Sequence, residues 1–150
     1  MPRVIRYEDA ATASLAEAAD ALRASGFDPR DEESLAHGAL WLRRLGNDSE
    51  FLGDMLVDSL AQRHREDVLE NSYGPQVMML VPPSGDFFIR ANIWPSLGEH
   101  MVRASGGPSF ALGLPHDHNF SFLTLGYFGP GYWSDYYEFD YGEVAGARGE

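Results

Sequence analysis

Two histidines one residue apart are the first chemistry this sequence offers. His116 and His118 stand in Gly113-Leu114-Pro115-His116-Asp117-His118-Asn119-Phe120. Alternate residues of a strand point to one face, so the two imidazoles project together. Imidazoles so placed can chelate one metal ion, and neutral imidazole suits Fe, Cu, Ni and Zn. Asp117 points to the opposite face and stands outside that ligand set. The histidine face continues through Phe120, Phe122 and Thr124. An aromatic lining beside a metal offers open coordination positions in a dry cavity, as oxygen activation requires. The competing reading is two solvated histidines at the start of a strand.

A third ligand has two candidates. Gly129-Pro130-Gly131 reads as a hairpin turn. Folding the chain there puts Asp140 across from Phe120 and diagonal to His118. Two histidines and one carboxylate are the set of non-haem Fe(II) oxygenases. A one-residue slip would turn Asp140 outward. His100 is the other candidate, reaching back from a loop before the next strand. Arg90 falls between apolar neighbours and shares a face with Phe88, Asn92 and Trp94. An Arg on an aromatic face binds a carboxylate bidentately, so Arg90, Phe120 and Phe122 are the substrate-binding candidates. The plain alternative for Arg90 is an edge-strand residue in solvent. His37 reads as a mid-helix histidine and His64 as part of a mixed-charge helical face. Glu99 and His100 are adjacent, and adjacent residues rarely share a face, which argues against a dyad.

These residues need elements to hold them. The first 72 residues read as helices. Ala11, Leu15, Ala18 and Leu22 recur at helical spacing, with Gly26 in the place of a C-terminal cap. Asp31 can cap a second helix, with Glu32 and Glu33 at the positive end of its dipole. Leu35, Ala39, Trp41 and Leu42 form its stripe, and Gly46 ends it. A third helix starts at Asp48 or Ser49, carries Leu52, Leu56 and Leu60 in one row, and runs to about Asn71, before Ser72-Tyr73-Gly74-Pro75. Beyond residue 75 the pattern becomes β-like, over 76–81, 87–94, 110–114, 119–128 and 132–141. Fourteen of the 19 aromatic residues lie between Phe87 and Tyr141, and aromatics favour strands. Short strands broken by Gly and Pro suggest a sandwich or barrel. The expectation is one α+β domain: a helical region over 7–72, a β region over 73–141 and a loose tail over 142–150.

The segment Gly113…Pro115-His116-x-His118, followed by a strand and a Gly-rich turn, resembles the first metal motif of the cupins. The resemblance implies N-terminal helices packed on a cupin-like antiparallel β-barrel or sandwich that binds Fe, Mn, Ni, Cu or Zn. The usual motif carries a Glu soon after the second His, and Phe122-Leu123-Thr124 carries none. The cysteine-dioxygenase-like branch also lacks that Glu and also places helices before its barrel. That branch holds Fe(II) with three histidines, the third from a second motif. No histidine follows His118 here, and only residues 119–150 remain. Either the implied barrel is abbreviated, or the chain is a piece of a longer protein, or another group completes the site, and the third ligand is unassigned.

Composition narrows the function classes. The net charge of −12 argues against nucleic acid as a partner. All 11 basic residues are Arg, which removes Schiff-base chemistry and any P-loop lysine. The absence of Cys removes disulfides, thiolate metal sites and Cys nucleophiles. No GxSxG, GxGxxG or Walker pattern occurs. No apolar run approaches a membrane span, and no secretory h-region opens the chain, so the expected compartment is the cytoplasm. The leading expectation is a metal-dependent oxidoreductase, a non-haem Fe(II) dioxygenase acting on a small molecule or peptide. Zn, Mn, Ni and Cu are the alternative metals, Zn or Mn turning the chemistry toward isomerisation or hydrolysis. The alternative from another class is a non-catalytic cupin-like ligand-binding or assembly module. An acidic, aromatic-rich small barrel would also suit a homodimer.

Overall fold

The computed structural model describes residues 3–63, 76–83, 85–110, 112–118, 120–138 and 140–143. Three helices open the chain. Helix α1 spans Leu15–Ser25 and starts in a capping box. The Ser14 hydroxyl accepts from the Glu17 N–H, and the Glu17 carboxylate accepts from the Ser14 N–H. This satisfies two donors that the first turn leaves without intrahelical partners. Gly26 follows α1 with φ 67°, a conformation that favours glycine. Helix α2 spans Glu32–Gly46, and its Asp31 cap accepts from the Glu33 N–H. Helix α3 spans Phe51–Arg63, with the Asp48 carboxylate accepting from the Glu50 and Phe51 N–H groups. The expected extension of this helix toward Asn71, His64 included, lies outside the described residues. No helix among the described residues is long and apolar enough to cross a membrane.

The segment before α1 clamps it to the end of α2. Ala13 donates its N–H to the Arg44 carbonyl at 3.1 Å. Asp9 pairs with Arg44 at 2.9 Å. The Asn47 side-chain amide donates to the carbonyls of Asp9 and Ala11. Ala13, Ala18, Ala19, Leu22 and Leu45 are buried in this helical part. They are small or medium side chains, so the core is thin.

The β region differs from expectation. Strands β1 (Val77–Val81) and β2 (Ile89–Asn92) form an antiparallel pair. Met79 faces Arg90 across the ladder, and a register irregularity separates Met79 from Val81. No other strand occurs among the described residues. A short helix, α4 (His100–Ser105), follows instead, with a 3-10 turn at Gly107–Phe110. The barrel or sandwich expectation is thus overturned: the fold is helices with one two-stranded sheet.

The reason is partner choice. Residues 114–118 and 120–138 have no regular secondary structure in the described chain. Among the described residues no backbone–backbone hydrogen bond involves 120–138. The alternation read in 120–128 is present, but its apolar face packs on helices. Leu123, Leu125 and Tyr127 are half-buried, while Phe122, Thr124 and Gly126 between them are exposed. Leu123 reaches Gly38, and Leu125 lies against Gly46. The Tyr127 ring meets Phe51 edge-on at 6.0 Å, and its hydroxyl donates to the Asp48 carbonyl at 2.8 Å. Aromatic and β-branched residues suit a half-buried extended surface, and that preference does not require a neighbouring strand.

Candidate functional site

The two faces of one extended segment build the site. Odd-numbered residues 123–127 bind it to α2 and the start of α3, so even-numbered side chains are left on the opposite face. His116 and His118 lie edge to face with ring centroids 4.9 Å apart. His118 in turn lies 5.0 Å from Phe120 and 5.2 Å from Phe122. The shared face expected from the period of two is present. Phe120 is 39% and Phe122 54% exposed, so the face opens to solvent.

The tautomer of His116 follows from its partner. Its Nδ1 lies 2.9 Å from the Leu114 carbonyl oxygen. A carbonyl only accepts, so Nδ1 carries a proton, and in the neutral ring Nε2 keeps its lone pair. Such a bond to the second ring nitrogen is how metal-binding histidines are oriented. Sequence reading missed Leu114. The available signal was Pro115, since the residue before a proline is held in extended backbone. Two imidazoles binding one ion at ~2.1 Å through nitrogen, in cis positions, put their centroids roughly 4.5–5.5 Å apart. The observed separation fits that range, and the donor set fits Fe, Ni, Cu or Zn.

Strand β2 and Phe88 just before it supply the other wall. The Phe88 ring meets Phe120 at 5.9 Å. The Arg90 guanidinium lies 5.9 Å from the Phe88 ring and 6.0 Å from the Phe120 ring. Arg90, Phe88, Phe120, Phe122 and the two histidines therefore form one continuous group. The aromatic faces stabilise the guanidinium and hold a positive charge beside the histidines.

The candidates for a third ligand are Asp140 and His100. The Asp140 carboxylate accepts from the Gly142 N–H at 2.8 Å, closing a tight local turn. The hairpin that would have carried it past His118 is not formed among the described residues. His100 begins α4. Glu99 is occupied as acceptor for the Ser96 N–H at 3.1 Å, not as an orienter for His100. No group of three His, Asp or Glu arranged for a metal occurs among the described residues. His37 lies in α2 with its ring 6.2 Å from Trp41.

No protein-family model matches this chain, and no curated protein or solved structure matches it at a significant level.

Proposed function

We propose that His116 and His118 hold a transition-metal ion, and that the chain is a metal-dependent oxidoreductase of the non-haem Fe(II) dioxygenase type. The substrate class is a small molecule or peptide. One observation carries the reading: two exposed imidazoles 4.9 Å apart, with His116 held in the tautomer that leaves Nε2 free. Bound there, iron would supply redox chemistry with O₂ at positions that two protein ligands leave open. The chain's own residues do the rest. The Leu114 carbonyl orients His116. Phe120 and Phe122 set an apolar wall beside His118. Arg90, stacked on Phe88 and Phe120, offers its guanidinium to an anionic substrate group. The reading rests on residues 113–122 and their resemblance to the first cupin metal motif, without a barrel around them.

A second reading is a non-catalytic ligand-binding module. It is favoured by the two-ligand set, since no third His, Asp or Glu joins the pair among the described residues. Elemental analysis separates the two, using protein purified without chelator or His-tag beside a His116→Ala/His118→Ala variant. Near-stoichiometric iron, lost in the variant, supports the oxidoreductase and leads to an oxygen-consumption screen. Zinc or manganese lost in the same way keeps the site and moves its chemistry to isomerisation or hydrolysis. No metal in either protein, with melting unchanged by added Fe(II), overturns the metal reading and leaves the binding module.

A further inference from the structure

Past the histidine face the chain turns a run of aromatic rings to solvent. Phe128 is 95% exposed, Trp133 99%, Tyr136 69% and Tyr137 73%. The strip is anchored where the Tyr132 ring lies 5.2 Å from Trp94. Exposed apolar surface on this scale marks an interaction site.

Two observations define what fits it. The first is the backbone. Residues 128–138 lie outside any sheet, and no backbone–backbone hydrogen bond among the described residues uses their N–H or C=O groups. Gly129 and Gly131 hold positive φ, so the chain turns at 128–131, while the backbone groups of 132–138 stay open to pairing with an added strand. The second is charge. Asp135 and Glu138 lie within the strip, the chain has no Lys, and no Arg occurs between Arg103 and Arg148. Among the described residues neither carboxylate is in an ion pair. Uncompensated carboxylates attract guanidinium and ammonium groups, and exposed rings near them in the chain add cation–π attraction.

We propose that residues 132–138 dock an extended, Arg- or Lys-rich segment of another polypeptide. The partner pairs backbone to backbone and lays its cationic side chains on Trp133, Tyr136 and Tyr137, beside Asp135 and Glu138. A second copy of this chain is a poor occupant, because two acidic strips on molecules of charge −12 repel. The inference is independent of the metal reading.

Calorimetric titration of the full chain tests it, with short peptides of alternating Arg and Val, Glu and Val, or Arg and Pro as probes. The Arg–Val peptide should bind saturably and weaken as salt is raised. The Arg–Pro peptide lacks alternate N–H donors and should bind more weakly. A Trp133→Ala/Tyr136→Ala/Tyr137→Ala variant should melt like the parent, since these side chains are exposed, and lose about tenfold or more in affinity. Equal binding of the Glu–Val peptide, no binding of the Arg–Val peptide, or undiminished binding by the variant overturns the proposal. A parent that sediments as a dimer beside a monomeric triple variant also overturns it, because a second copy would then cover the strip.

Discussion

The isobutyl group of Leu125 fills the space beside Gly46, where any side chain at residue 46 would have to sit. Gly46 is the last residue of α2, and this close approach is part of what fixes the extended segment to the helices. The site depends on it indirectly, because docking Leu123, Leu125 and Tyr127 inward leaves Phe120 facing Phe88 and Arg90, with Phe122 beside Phe120.

Gly46→Ala therefore has opposite signs in two backgrounds. With Leu125 present, overpacking costs about 1–3 kcal/mol, offset in part by about 1 kcal/mol of improved helix propensity. In a Leu125→Ala background only the propensity gain remains, and the same substitution stabilises. Urea unfolding of the four proteins measures the coupling. An equal effect in both backgrounds would show that the contact does not hold the segment.

Tyr127→Phe removes the hydroxyl that donates to the Asp48 carbonyl at 2.8 Å. The expected cost is about 1 kcal/mol, the usual net value of such a bond. The midpoint of urea unfolding should fall with its slope unchanged. A wild-type midpoint would mean that water replaces the hydroxyl without loss.

Asp9 gives an acid-limb prediction. Its hydrogen bonds from Arg44 and from the Ala11 N–H hold its carboxyl below the ordinary value of 3.8. A carboxyl with a lowered folded value contributes stability above its unfolded value and loses it as pH falls through the folded one. Asp9→Asn should thus melt lower than the parent at neutral pH. The gap should close as pH drops below the ordinary carboxylate value. Melting curves across the acid range check this, and a constant gap would place the effect outside the ion pair.

Metal affinity should follow the orientation of His116 as well as its presence. His116→Ala or His118→Ala alone should abolish chelation of added Co(II) or Ni(II). Pro115→Ala keeps both imidazoles but frees the Leu114 backbone, and should weaken binding by about tenfold, as loss of an outer partner does. Competition against a chromophoric chelator reads both. Parent-like affinity in Pro115→Ala would mean that the Leu114 contact plays no orienting role.

Much of the helical half was legible in the residues. Asp31 as a cap, Gly26 as a terminator and the end of α2 at Gly46 all follow from interactions within a few residues. α4 was not legible, since His100–Ser105 is too short to show a helical period. The face carrying His116, His118, Phe120 and Phe122 was legible because an alternating backbone repeats every two residues whatever lies beside it. Its continuation was not. The sequence of 119–141 has the composition of paired strands, yet what a strand pairs with is decided by distant chain. Here the apolar side of 123–127 found α2 and α3, and no paired hairpin that would carry Asp140 toward His118 forms among the described residues. Packing also set Arg90 against Phe120 and Trp94 against Tyr132. Local periodicity thus determined which side chains share a face, and only tertiary packing decided what that face meets, because long-range contacts depend on which surfaces are left to be buried.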